Sequence, residues 1–221
     1  MSKHHFKFKE VFIFGWDKTY QHAWFIFLTF VITSIIMSAT RVSSLLATVV
    51  VLMTALSLAS ISLMVVRNHN FSFIDLINPL LSQRRVLKFF ALAGFYMLPV
   101  LLLAFTTAML VVGVRQGSTS ITVFGIVLTL ICLIPSIFVL VRFKFFPFVV
   151  AEHEHSTVKD LILMTYKLTE GNFWPILGFV CLAALLNLFG LLLFCIGLLV
   201  TVPVTLFAFA HLYDKLKHHE A

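Results

Sequence analysis

The stretch Ser156–Trp174, STVKDLILMTYKLTEGNFW, decides how the rest of the chain is read. Val158, Leu161, Ile162, Thr165, Leu168 and Thr169 fall on one face of a helix. Lys159, Asp160, Lys167 and Glu170 fall on the other, with Leu163 the one exception. Apolar positions at i, i+3, i+4 and i+7 predict an amphipathic helix. Ser156 is the expected N-cap and Gly171 the expected residue just past the C-terminus. Phe173 and Trp174 follow, and the chain is then apolar as far as Leu212. A helix lying on a membrane surface and feeding straight into a span has this form.

Composition extends that reading to the whole chain. Hydrophobic residues make up 61%, charged residues 11%, and the mean hydropathy is +1.06. A soluble domain carries roughly 25% charge and has no means of hiding so much apolar surface. Length suits one bundle of spans without a sizeable soluble domain. The 25 phenylalanines are read as lipid-facing bulk. A net charge of +7 fits loops that touch anionic headgroups, so a lipid bilayer is the expected partner and nucleic acid is not. Cys132 and Cys181 lie in apolar runs and Cys195 near a tight turn, with no C-x-x-C spacing, so they predict neither a disulfide nor a metal centre. Lys3, Lys7 and Lys9 resemble the charged start of a signal peptide, but the apolar run begins only near Ala23 and lacks a small-x-small exit; it is read as a retained first span.

About twenty residues at 1.5 Å rise cross a hydrocarbon core of about 30 Å. Six segments qualify, near 23–39, 45–66, 89–113, 121–141, 173–189 and 193–212. Five is the alternative count, if the first span or the crowded last pair is cut differently. Residues 1–22 form an amphipathic lead-in with Phe8, Val11, Phe12, Gly15, Trp16 and Thr19 on one side. In residues 67–88 Ile74, Ile77, Leu80 and Leu81 share a side, and Pro79 splits or starts the helix. The fold class is therefore all-α: a polytopic membrane bundle in which an amphipathic helix, a span and a second span recur three times.

Lys and Arg set the expected orientation. The lead-in carries Lys3, Lys7, Lys9 and Lys18; residues 67–88 carry Arg67, Arg84, Arg85 and Lys88. Residues 142–172 carry Arg142, Lys144, Lys159 and Lys167, and the tail carries Lys215 and Lys217. Of the 16 basic residues only Arg41 and Arg115 fall on the opposite side, while all nine acidic residues and all nine histidines stay with the majority. The positive-inside rule then puts both termini in the cytoplasm. The first and third units align at an offset of 150, with Lys9 on Lys159, Glu10 on Asp160, Trp16 on Tyr166, Thr19 on Thr169 and Trp24 on Trp174. Such repeats occur in transporters and also in membrane proteins that carry nothing.

The spans hold no charged residue apart from whatever charge His211 takes at one end; Asn187, Ser and Thr are their other polar groups. Ion-coupled carriers keep ionisable side chains at this depth despite a cost of a few kcal/mol each. Pro99, Pro135 and Pro203 are read as ordinary kinks rather than broken helices around a site. Small residues four apart, such as Gly125 and Thr129 or Gly197 and Thr201, predict packing seams.

The densest polar cluster is Glu152-His153-Glu154-His155. His153 and His155 are the candidate metal ligands, but their H-x-H spacing suits a strand or loop and the pattern supplies no further ligand. A solvated loop is expected, with no cofactor. No G-x-S-x-G, Walker loop, H-E-x-x-H or C-x-x-C occurs, so no catalytic residue is assigned. Arg84, Arg85, Lys88, Arg142 and Lys144 are placed against headgroups, at about 1 kcal/mol for each charge near an anionic surface. Trp16, Trp24 and Trp174 are the expected interfacial anchors.

The residues Phe146-Pro147, Ala151-Glu152, Ser156 and Tyr166-Lys167-Leu168-Thr169-Glu170-Gly171-Asn172-Phe173-Trp174 resemble a pattern in a broad group of bacterial membrane proteins. These are six-span proteins allied to the membrane domain of glycerophosphodiester phosphodiesterases, the YciC-like inner-membrane proteins among them. The likeness is best over residues 142–215 and only architectural before that. It implies a plasma-membrane protein tied to envelope or lipid homeostasis. It does not imply phosphodiesterase activity, because the catalytic domain of some relatives is missing. Three readings remain open: a non-enzymatic membrane protein that senses the bilayer or docks a partner, a transporter or lipid-moving permease, and a membrane enzyme built on the histidine cluster.

Overall fold

The computed structural model describes residues 8–25, 27–29, 31, 44–69, 72–193 and 197–220. Every regular element among them is helical. In chain order these are α1 (Phe8–Gln21), α2 (Ser44–Val66), a 3-10 turn (Phe73–Leu76), α3 (Asn78–Leu81), α4 (Gln83–Arg115), α5 (Thr119–Arg142), α6 (Phe146–Glu152), α7 (Val158–Leu168), α8 (Phe173–Leu192) and α9 (Leu198–Glu220). Five helical stretches are long and apolar enough to cross a membrane: Thr48–Val66, Gln83–Arg115, Thr119–Glu152, Phe173–Leu192 and Leu198–His218. Most of the first expected span, at 23–39, lies outside the described residues.

The helix that contains the expected span 89–113 starts at Gln83. Sequence reading cut it after the last charge, but backbone hydrogen bonding does not stop at a polar side chain. Ser82 caps the helix instead, its Oγ accepting from the Arg85 N–H at 3.4 Å. The polar stretch before it is not one amphipathic helix. Asp75 caps the 3-10 turn through the Ser72 N–H at 2.7 Å, and Pro79 opens the four-residue α3. Ile74, Ile77 and Leu81, three of the four apolar residues assigned to one side there, are more than half exposed.

α7 follows the predicted face. Leu161, Thr165 and Leu168 are buried and Leu163 is exposed. The N-cap, however, is Thr157 and not Ser156: its hydroxyl and backbone pair reciprocally with Asp160 three residues on, a capping box. Asp160 supplies the first-turn negative charge that the helix dipole favours. Gly171 ends the segment at φ +76°, the left-handed conformation expected of it. α1 buries Val11, Gly15 and Thr19, which are the α7-segment positions Leu161, Thr165 and Thr169 shifted by 150. In both, a threonine hydroxyl donates back to the carbonyl four residues earlier, Thr19 to Gly15 and Thr169 to Thr165.

α4 and α5 form a long hairpin around Gly117, which has φ +64°. Their seam is close: a Cβ on Gly113 would stand 2.7 Å from Thr122 N, and one on Gly125 2.9 Å from Leu110 Cα. α8 and α9 approach in the same way where Gly190 meets Gly197 and Thr201, the tight connection expected near Gly190.

Burial is concentrated at one end. The core gathers the last part of α2 (Leu56, Ala59, Leu63), the first part of α4 (Phe89, Leu92, Ala93), α6, and the Ala208–Leu216 part of α9. The outer halves of α4 and α5 instead expose Leu101, Phe105, Phe124, Leu130 and Ile134. Lipid is as apolar as leucine, so such faces need no protein cover. Within residues 142–172, read as an interlude between spans, Phe145, Phe146, Phe148, Val149 and Val150 are all buried. Short apolar runs flanked by charge carry no period from which to predict this.

Candidate functional site, a charged junction at the packed end

The site follows from where α6 stops. Pro147 at the start of α6 fixes its direction, and Phe145 and Phe148 anchor it by packing against Tyr213, with ring centroids 6.3 and 5.6 Å away. Glu152, the last residue of α6, is thereby held between the ends of α2 and α9. Its carboxylate accepts from Arg67 Nη1 at 2.9 Å, Lys217 Nζ at 2.7 Å and the Tyr213 hydroxyl at 2.8 Å. Arg67 also reaches Asp214, its Nε and Nη2 both 2.9 Å from one carboxylate oxygen, Oδ1. The charged side chains are between 18% and 39% exposed and Tyr213 is buried, so the network is partly desolvated. Burial works against the Arg67 charge, but the bonds to Glu152 and Asp214 outweigh it and raise the Arg67 pKa.

Two residues later the chain has turned, and Glu154 faces α4. It accepts from the Ser82 hydroxyl and, at 2.6 Å, from Arg85 Nη2; its backbone carbonyl accepts from Lys88 Nζ at 2.6 Å. The Ser82 hydrogen bond and the Arg85 charge hold Glu154 below the usual carboxylate pKa of 4.5. Asp160 is lowered too, chiefly by its bond from the Thr157 hydroxyl. A carboxylate lowered on folding stabilises the folded state above its unfolded pKa and loses that contribution as pH falls through its folded value. Amide exchange at the α4 and α7 starts is therefore expected to be flat from pH 7 to about 5, after correction for intrinsic rates, and to rise below about 4. The rise is expected to vanish in a Glu154→Gln, Asp160→Asn double variant.

The other expected positions divide clearly. Arg142 is 9% exposed, donates to Thr169 Oγ1 at 3.3 Å, and lies over Tyr166, Phe138 and Phe173 at 4.6, 5.2 and 5.9 Å from the ring centroids. It ties α5 to α7 and α8 from inside. Lys144 lies over Phe209 at 5.1 Å. Arg85 and Lys88 are engaged by Glu154 as described, which leaves Arg84 as the exposed member of the basic set. Trp16, Trp24 and Trp174 are 57%, 72% and 77% exposed, as side chains facing a surrounding medium must be. His153 Nδ1 lies 3.2 Å from the Val149 carbonyl of its own helix, and His155 is exposed. Among the described residues no three metal-capable side chains gather.

Within the tetrapeptide Glu152–His155 it is Glu152 and Glu154 that form the ion pairs. The glutamates, not the histidines, organise it. A signal was present: Glu152 and Glu154 sit in a chain whose basic residues collect in the same interludes. The partners Arg67, Tyr213 and Lys217 are far away in sequence, and no local pattern links them. No family model matches this chain, and no curated protein or solved structure matches it significantly.

Proposed function

We propose that the chain is a non-enzymatic, multi-pass protein of the bacterial inner membrane, of the YciC-like kind, that engages the lipid surface in envelope or lipid homeostasis. Six spans, cytoplasmic termini and contact with anionic headgroups belong to this reading. The observation that carries it is the contrast at the charged end. Ion pairs lock the helix ends together there, yet Ile74, Ile77 and Leu81 remain uncovered beside exposed Arg84. Apolar side chains next to exposed basic charge are what an interfacial segment offers a bilayer. The charged groups of this end pair with one another in salt bridges.

Loss of the protein is expected to alter the lipid profile or the envelope-stress response of its host. An unchanged profile, stress response and detergent sensitivity in the deletion strain overturns the reading. A lipid-moving permease is the alternative, favoured by the matching burial of α1 and the α7 segment at an offset of 150. Flux of labelled lipid in proteoliposomes separates the two: measurable flux supports the permease and removes the non-transporting reading.

A further inference from the structure

The junction borders a half-open cavity of about 220 Å³, of mixed polar and apolar lining, between the end of α2, the 3-10 turn, α3, α4 and the end of α6. Its polar lining is Arg67, His69, Asp75, Asn78, Arg85 and Glu152, with Ser60 at its inner edge. Two features separate it from an ordinary gap between helix ends.

The first is charge. Arg67 and Arg85 are balanced by Asp75 and Glu152, and His69 adds an imidazole ring. A balanced lining disfavours a ligand of one sign and suits one that carries both. The second is unused bonding capacity. Arg85 gives Nη2 to Glu154, but its Nε is buried without a partner. An unmatched guanidinium donor is unfavourable, and an acceptor in the cavity satisfies it once the Arg85 side chain turns toward the opening. The uncovered Ile74, Ile77 and Leu81 lie in the same turn and helix as the lining residues Asp75 and Asn78. A soluble zwitterion has nothing to place against them; the glycerol and first methylenes of a phospholipid do.

We infer that this cavity is a binding site for the headgroup of a zwitterionic phospholipid, its phosphodiester toward Arg85 and its ammonium toward the carboxylates of Asp75 and Glu152. The inference deepens the lipid-surface reading above and rests on it. No covalent step is involved.

The test is lipid retention. The full chain is equilibrated in detergent with equal amounts of phosphatidylethanolamine and phosphatidylglycerol, and bound lipid is measured by mass spectrometry of the intact complex. Wild type is expected to retain phosphatidylethanolamine over phosphatidylglycerol by about tenfold, the ratio that corresponds to one charge-assisted hydrogen bond. Arg85→Gln and Asp75→Asn should each bring that ratio close to one, while Arg115→Gln, at the opposite end of α4, should leave it unchanged. Should Arg85→Gln fail to fold, Asp75→Asn alone decides. Glycerophosphoethanolamine added in excess should not displace the lipid; displacement would assign the site to a soluble ligand and overturn the lipid assignment. Equal retention of the two lipids, or full selectivity in Asp75→Asn, also overturns it. Equal retention of the two lipids by wild type alongside an altered envelope in the deletion strain removes this site only; an unaltered envelope removes the broader reading.

Discussion

Glu152→Ala is expected to lower the unfolding temperature of the detergent-purified protein more than any other single change at a charged residue. Three donors, Arg67, Tyr213 and Lys217, converge on that carboxylate, and none has an equivalent acceptor on α6 to turn to. Breaking a fully buried ion pair costs about 3–5 kcal/mol, because the remaining charge is stranded. The side chains here are partly exposed, so solvent recovers some of that, and about 2–3 kcal/mol is expected. For a chain of this size that is a fall of roughly 5–10 °C. Arg67 keeps Asp214 and should hold α2 to α9; α6 should be the element released. Glu152→Gln retains an acceptor for Tyr213 and the side-chain volume, so it should lie between the alanine variant and wild type. An alanine variant melting within about a degree of wild type would mean that the network adds nothing beyond the aromatic packing of α6.

Gly15→Val is expected to lift α1 off the bundle. A Cβ at this position would stand 2.5 Å from the Val204 carbonyl oxygen and 3.2 Å from Ala208 Cβ. The first neighbour is backbone in the middle of α9 and has no rotamer by which to move aside. Overpacking of this kind costs about 1–3 kcal/mol, and valine adds two methyl groups to it. Undocking would separate Phe12 from Phe179, whose rings stack at 4.9 Å, and Phe14 from His211, stacked at 4.0 Å. Lys18, which donates to Asn68 at 2.7 Å in the docked helix, should become a site of rapid tryptic cleavage. The matched control is Gly94→Ala in α4, where a Cβ meets nothing within 4 Å; it should be neutral or slightly stabilising through helix propensity. Equal proteolysis rates in Gly15→Val and wild type would show that α1 does not depend on this close approach.

Most of the architecture could be read from the residues because two signals in them are local. Uninterrupted apolar runs marked the long helices, and the alternation of Leu161, Thr165 and Leu168 with Lys159, Asp160 and Lys167 marked α7 and its buried side. The capping residue was missed by one place, since Ser156 and Thr157 are chemically alike and only the distance to Asp160 separates them. The burial of Phe145–Val150 was missed for a different reason. It depends on α2, α4 and α9 closing around α6, and sequence spacing carries no information about that. The same is true of the junction. Each charge was visible, and its position at a helix end was visible, but the pairing of Arg67 with Glu152 and Asp214 joins residues far apart in the chain. Arg142, assigned to headgroups, is buried instead, where its guanidinium lies over the Tyr166 and Phe173 rings.

The hairpin of α4 and α5 has a consequence for how the protein is made. Its seam of Gly113, Gly125 and their partners, and the Ser136 hydroxyl bonded to the Pro99 carbonyl at 3.5 Å, all lie between the two helices themselves. Nothing in that seam waits for a later part of the chain. The pair can thus zip together during synthesis, soon after α5 leaves the ribosome and before α6 exists to seat its base. Assembly then has a natural order, with a finished arm first and the closing of its charged root last, once α9 delivers Tyr213, Asp214 and Lys217.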